Sequence, residues 1–313
     1  MQAVAFHAFG GNDVIEIADV PKPSPKPREV LIKVHAAGVN PVDWKTREGQ
    51  TRIFIGSTFP KILGIECAGE VVDAGNRVTK YKPGDTVIAT AGPHLGAYAE
   101  YVAISEKTVF PMPKNISFEE AAAIPIAGMT AFIALRDKGR IAAGRKVVIN
   151  GASGGVGTFA VQIAKLYGAQ VTAVCSSANA GLVKELGADS VIDYHQQDFT
   201  KAGIQYDIVF DAISARSFKE CKQALTPHGI YINTVPSPSL IWSIFVRALL
   251  PGKKAATIMV GHKSSDVEWL CGHIQAGKIK VVLDKVFPLD QVKEALAYSQ
   301  TGRVRGKVAL KVV

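Results

Sequence analysis

The stretch "INGASGGVGT" (149–158) constrains this 313-residue chain more than any other. It follows an apolar run, Lys146–Asn150, and leads into a helical pattern, "VGTFAVQIAKLYG", closed by Gly168. A glycine-dense loop between a strand and a helix is where a dinucleotide-binding turn belongs. The G-x-G-x-x-G spacing falls on Ala152, Gly154 and Gly157, with alanine in place of the first glycine. Gly154 lets the backbone approach a pyrophosphate, and Gly157 lets the helix pack close to the strand. The helix N-terminus offers unpaired N–H groups and the positive end of its dipole. Ala152, Ser153, Gly154, Gly155, Val156 and Gly157 are therefore candidate cofactor-binding residues. The plainer alternative is a tight turn with no ligand.

The surroundings favour the first reading. "AQVTAVC", "SVIDY", "YDIVFDAI" and "IYINTV" read as strands. "AGLVKELG" and "FKECKQALTPHG" between them read as helices. That alternation predicts an α/β domain with a doubly wound parallel sheet. The first 110 residues differ. β-branched runs such as "EVLIKVHAAGV", closed by Gly, and the Pro-Gly turn in "YKPGDTVIA" predict a β-rich, barrel-like antiparallel domain. Ser117 with Glu120 three residues on predicts a capped helix start. After about residue 264 two helices, "DVEWLCGHIQAGK" and "DQVKEALAYSQTG", alternate with two strands, "KVVLDKVFPL" and "KVALKVV". These are expected to complete the N-terminal domain.

Charge and cysteines limit the function classes. The net charge of +9 suits anionic ligands such as nucleotides. No Lys/Arg block concentrates it, which disfavours a dedicated nucleic-acid protein. Cys67, Cys175, Cys221 and Cys271 lie far apart with no C-x-x-C, giving neither a thiol zinc ribbon nor a disulfide framework. A reducing cytoplasm is the expected compartment. "MQAVAFHAFG" lacks the basic and apolar regions of a signal peptide. "LIWSIFVRALL" (240–250) is too short to span a bilayer and carries Arg247, so it is expected to be a buried or interface helix.

The end of the second strand decides which dinucleotide is expected. NAD-selective folds place an Asp or Glu there for the ribose hydroxyls. This chain has Ser176 and Ser177, which carry no charge to repel a 2′-phosphate, and Lys184 or Tyr194 would add a contact. NADP(H) is the expected cofactor; the alternative is that the serines merely cap a helix.

Taken together, "AAGVNPVDWKTREG" (36–49), "LGIECAGEVVDAG" (63–75), "YKPGDTV" (81–87), "GAYAEYV" (96–102), "AAAIPIAGMTAFIAL" (121–135), "GASGGVG" (151–157) and "LGADSVIDY" (186–194) resemble the medium-chain dehydrogenase/reductase superfamily. The resemblance, in its zinc-independent quinone oxidoreductase branch, covers essentially the whole chain. It implies a GroES-like catalytic domain over 1–120 and 265–313, a Rossmann domain over 121–264, and a homodimer. It also implies NADPH-dependent reduction of quinones or α,β-unsaturated carbonyls. Zinc-dependent members carry ligands where this chain has Asn40 and Ile65, neither of which binds zinc, so no metal is expected. Glu66 is expected to be a buried carboxylate paired with a cation.

By the same resemblance, Asn40 lies beside nicotinamide and substrate and donates to the acceptor carbonyl. Lys45 is a second candidate donor. Thr130 contacts the nicotinamide, and Lys307 lies near the pyrophosphate. Their plainer readings are a surface charge for Lys45, a helix-packing side chain for Thr130 and a structural cation for Lys307. The proton donor stays open among Tyr98, Lys45 and solvent. The seven histidines share no catalytic spacing. The sequence thus points to a zinc-independent NADPH-dependent quinone or enone reductase. The rival is an NADPH-binding protein with weak turnover that engages nucleic acid or a protein partner.

Overall fold

The computed structural model describes residues 1–261 and 263–313. The chain forms two compact units. The first comprises Met1–Ile126, His262–Gln275 and Val281–Val313; the second comprises Ala127–Gly261 and Ala276–Lys280.

The first unit opens with β1 (Gln2–Phe6), β2 (Ile15–Asp19) and the long β3 (Glu29–Val39). Two short helices follow, α1 (Pro41–Arg47) and α2 (Arg52–Ile55). Next come β4 (Lys61–Ile62), β5 (Glu66–Ala74), β6 (Thr86–Thr90), β7 (Tyr101–Ser105) and β8 (Val109–Pro111). Helix α3 (Phe118–Ala122) starts at Ser117, which accepts from the Glu120 N–H while Glu120 accepts from the Ser117 N–H. That is the capping box its sequence predicts.

The second unit is built on one parallel sheet. Its strands are β9 (Lys146–Asn150), β10 (Gln170–Cys175), β11 (Ser190–Asp193), β12 (Tyr206–Asp211), β13 (Leu225–Asn233) and β14 (Lys254–Thr257). They lie in the order β11-β10-β9-β12-β13-β14, the doubly wound arrangement of dinucleotide-binding folds. Helix α4 (Pro125–Phe132) runs into this unit and continues as a π-helical stretch, Ile133–Lys138. The remaining helices are α5 (Gly155–Leu166), α6 (Ala180–Glu185), α7 (Phe218–Cys221) and α8 (Pro238–Leu249). "FKECKQALTPHG" is not one helix: α7 stops at Cys221, and Leu225 already begins β13. Pro227 lacks the N–H a helix interior needs, and Gly229 lowers helix propensity further. Residues 276–280 join this unit because both ends of the Gln162 amide bracket Lys280. Its Nε2 donates to the Lys280 carbonyl at 2.9 Å, and its Oε1 accepts the Lys280 N–H at 2.7 Å.

The chain then returns to the first unit through α9 (Ser264–Gln275), β15 (Leu283–Pro288), α10 (Val292–Gln300) and β16 (Lys307–Lys311). β15 and β16 extend the sheet that runs β15-β16-β3-β5-β6-β8, with β7 also paired to β3. Val4, Phe6, Ile32, Val34, Leu63 and Val87 fill the core, and Val292 and Leu296 of α10 pack onto it. No described helix is long and apolar enough to cross a membrane.

Candidate active site

Strand register gathers one buried polar cluster in the first unit from four distant parts of the chain. β16 runs antiparallel to β3 with Val308 opposite Val39, which brings Lys307 to Asn40. β5 pairs with β3 with Cys67 opposite Ala37, which brings Glu66 beside Gly38. The approach is close: a Cβ on Gly38 would lie 2.2 Å from Glu66 Oε1 and 2.4 Å from the Ala122 carbonyl oxygen. Only glycine fits there.

The cluster is densely bonded. The Lys307 ammonium donates to the Val39 carbonyl at 2.9 Å, Asn40 Oδ1 at 2.7 Å and Glu66 Oε1 at 3.0 Å. Those contacts use all three of its protons. Asn40 Nδ2 donates to Glu66 Oε1 at 2.7 Å and, more weakly, to the Gly38 carbonyl at 3.4 Å. Glu66 Oε2 accepts the N–H of Ile126, in the first turn of α4, at 2.7 Å. Glu66 is thus the buried, cation-paired carboxylate its sequence suggests, with Lys307 as the cation. Asn40 and Lys307 do not present free donors to an acceptor carbonyl or a pyrophosphate in this arrangement, because their protons are committed to one another's neighbours. They brace the β3–α1 junction.

A second buried pair lies next to the first. Asp43, on α1, accepts the Asn40 backbone N–H at 2.7 Å and the Tyr98 hydroxyl at 2.8 Å, both through Oδ2. Its Oδ1 is buried without a hydrogen-bond partner. Burial pushes the Asp43 carboxyl up to about 7, against the lowering pull of the Tyr98 and Asn40 bonds, and the Glu66 charge adds to the rise. Burial and the Asp43 carboxylate likewise push the Tyr98 phenol well above its ordinary value. Tyr98 is fully buried and donates to Asp43, so it is not an accessible proton donor. Lys45 differs. It is half-buried two residues beyond Asp43, with its ammonium 5.3 Å from the Trp44 ring centroid. Among the described residues no carboxylate pairs with it.

The glycine loop of the second unit is suited to anionic oxygens. Gly154 is the N-cap of α5 and no side chain caps that helix, so the first-turn N–H groups of Gly155, Val156 and Gly157 lack intrahelical acceptors. A Cβ on Gly157 would lie 2.2 Å from the Gly151 carbonyl oxygen, whereas one on Gly154 would meet nothing nearer than 3.5 Å. Helix and strand therefore meet tightly at Gly157, while the loop stays open at Gly154. Ala152 is buried, and Ser153 accepts from Asn179 Nδ2 at 3.1 Å. Thr130 is buried in α4.

At the end of β10, Ser176 is half-buried with no side-chain capping bond, and Ser177 is exposed. Lys184 is exposed on α6, and the exposed Tyr194 ring lies 4.3 Å from that of His195. Sequence reasoning missed one group here. β11 runs parallel to β10 with Asp193 opposite Cys175, which places a carboxylate beside the two serines. The His195 backbone N–H and then the hydroxyl and N–H of Ser177 hold that carboxyl below the usual carboxylate range. Pairing the ends of adjacent parallel strands would have found it from the sequence.

Comparison with known proteins completes the picture. The alcohol dehydrogenase GroES-like domain family matches residues 26–114, and the zinc-binding dehydrogenase family matches 186–310. The chloroplast envelope quinone oxidoreductase homolog of Arabidopsis thaliana is 36% identical over 324 residues, spanning 99% of this chain and 98% of that protein. The chain belongs to the quinone oxidoreductases of the medium-chain dehydrogenase/reductase superfamily. The 2-methylene-furan-3-one reductase of Solanum lycopersicum is 34% identical over 99% of this chain and 79% of its own length. The quinone oxidoreductase of Coxiella burnetii superposes with a TM-score of 0.93 at 32% identity, over 100% of this chain and 99% of that one. One family description names zinc, but the residues here do not suit it. Asn40 and Ile65 are not zinc ligands, and the Lys307 ammonium already neutralises Glu66. Among the described residues no three His, Cys, Asp or Glu side chains gather as metal ligands.

Proposed function

We propose that this chain is an NADPH-dependent oxidoreductase that reduces a quinone, or the β-carbon of an enone, without a metal. When bound, the nicotinamide supplies the hydride. The chain's own residues bind, orient and stabilise. The uncapped amides of Gly155, Val156 and Gly157 hold the pyrophosphate, helped by the dipole of α5. Ser176, Lys184 and Tyr194 serve the adenosine end, and Thr130 serves the nicotinamide.

The observation that carries the catalytic reading is Lys45. It is an ammonium without a carboxylate partner, on a helix whose first turn is anchored through Asn40, Asp43 and Tyr98. Lys45 donates to the acceptor oxygen and stabilises the negative charge that develops there, which is oxyanion stabilisation by a fixed donor. It also supplies the proton that the reduced product takes up and regains one from solvent. Asn40 acts as a positioning residue for that helix. Assembly as a homodimer, which the family resemblance implies, belongs to the same reading and is read by light scattering. A cytoplasmic location agrees with four free cysteines.

Single-turnover oxidation of NADPH with a panel of quinones and enones tests the proposal. Rapid, saturable oxidation with one acceptor class is expected. Nucleotide binding without turnover on any acceptor would overturn it in favour of the rival binding protein.

A further inference from the structure

Helix α8 turns an apolar face to solvent. Leu240 is buried, and Ile244 packs against the core of the second unit. Ile241, Trp242 and Phe245 point the other way, exposed by 56%, 68% and 65%. Their spacing of i, i+1 and i+4 puts all three on one side of the helix. Ser237 caps the start, accepting from the Leu240 N–H at 3.2 Å, and Pro238 follows. The helix is therefore held in place by its own cap and inner face, independently of whatever covers the outer one.

The charge around this helix is mostly positive: Glu220, which lines one cavity with Ser237 and Leu240 at the start of α8, is the nearby carboxylate, and it is held by Ser217 and paired with Arg216. Between Glu220 and Asp266 the sequence has no acidic residue, but it has Lys222, Arg247, Lys253, Lys254 and Lys263. Four of the five cluster at the C-terminal end of α8. Lys254 Nζ donates to the Arg247 and Leu250 carbonyls at 2.6 and 2.7 Å, and Lys253 Nζ donates to the Lys222 carbonyl at 2.7 Å. Each ammonium keeps at least one proton free. The Arg247 guanidinium lies 6.0 Å over the Phe218 ring.

We infer that α8 is a docking element for an anionic lipid surface, with Ile241, Trp242 and Phe245 entering the headgroup boundary and the basic cluster pairing with lipid phosphates and carboxylates. An exposed aromatic and aliphatic face beside unanswered positive charge is the pattern of a helix lying in a membrane interface. A second copy fits the face less well, because a two-fold contact centred on α8 would set this cluster against itself, and Glu220 nearby is already engaged by Ser217 and Arg216. The inference rests on the proposed function for its purpose: quinones with long apolar tails reside in bilayers, and docking brings the enzyme to them.

The full-length protein is mixed with phosphatidylcholine vesicles with and without phosphatidylserine, and sedimentation and tryptophan quenching by brominated lipid are read. Binding is expected only with phosphatidylserine and should fade at high salt. Lys222→Gln with Lys253→Gln should weaken partition roughly 30-fold, about fivefold for each charge. Trp242→Ser with Phe245→Ser should abolish binding, and Trp242→Phe should keep binding but lose most of the quenching. Three results would each overturn the docking role: indifference of the unmodified protein to anionic vesicles, binding unaffected by the Ser variants, or Ser variants that change the oligomeric state. Turnover of a water-soluble quinone is measured alongside. If it persists while vesicle binding fails, docking alone is wrong; if it is absent in every variant and in the unmodified protein, the catalytic reading fails separately.

Discussion

The ammonium of Lys307 lies 2.7 Å from Oδ1 of Asn40, a residue 267 positions away in the chain. The β3–β16 register creates this contact, and it closes a three-way bond with Glu66. A buried charge is tolerated only when paired, and removing one partner of a buried pair typically costs about 3–5 kcal/mol. Lys307→Met should lower stability by that order, with the midpoint of urea unfolding as the readout. Adding Glu66→Gln should recover part of the loss, because the stranded carboxylate is gone. An unchanged midpoint for Lys307→Met would mean that the cluster is not the brace described.

Lys45 makes the opposite demand. It is half-buried and touches the Trp44 ring rather than a buried partner. Removing a donor to a developing oxyanion costs about 10²–10³ in rate. Lys45→Met should therefore lower kcat by that factor while thermal stability and NADPH binding stay near the unmodified values. A kcat within twofold of the original would leave Lys45 as a surface charge.

The sequence showed the architecture through its periodicities. The β-rich start, the alternation after residue 146 and the Ser117 cap are local patterns, and local patterns survive in a linear reading. The site was legible as a set of residues but not as an arrangement. Asn40, Glu66 and Lys307 were each singled out, yet their mutual bonding depends on antiparallel register across the whole chain. Asp193 escaped because it follows a different strand from the serines it meets. In the 218–229 segment helical periodicity competes with Pro227, and tertiary pairing with β12 prevails.

Asp43 links pH to stability. In the folded protein its carboxyl is pushed up to about 7 by burial, whereas an unfolded chain releases that proton near pH ~3.9. Between those limits the folded state binds more protons, so this residue makes stability fall as pH rises, and the loss is complete above the folded value. Over that window the effect amounts to about 4 kcal/mol at most. Asp43→Asn keeps an acceptor for the Asn40 N–H and Tyr98 hydroxyl but cannot ionise. Its stability relative to the unmodified protein should rise between pH 5 and pH 8, as read by denaturant titration at both. A constant difference across that range would show that Asp43 does not hold the proton.

The proposed metal independence rests on Asn40 and Ile65 at the ligand positions and on the Lys307–Glu66 pair. Dialysis against a strong chelator should leave both turnover and the thermal midpoint unchanged, and elemental analysis should find no stoichiometric zinc. Activity lost on chelation and restored by zinc would contradict the assignment of Lys307 as the internal cation.

Cofactor choice turns on two groups at the ends of β10 and β11. Ser176 has an uncommitted hydroxyl, and a charge-assisted hydrogen bond to a 2′-phosphate is worth roughly 1.5–3 kcal/mol. Ser177 already serves Asp193, whose carboxylate lies close enough to oppose the same phosphate. No arginine stands at Ala178 or Asn179 to offset it. The preference for NADPH over NADH is therefore expected to be modest. Asp193→Asn should raise the ratio of kcat/KM for NADPH to that for NADH by about fivefold, since relieving about 1 kcal/mol of repulsion has that effect. Ser176→Asp should move the ratio the other way by weakening NADPH far more than NADH. Equal ratios in the unmodified protein and both variants would show that this corner does not read the ribose at all.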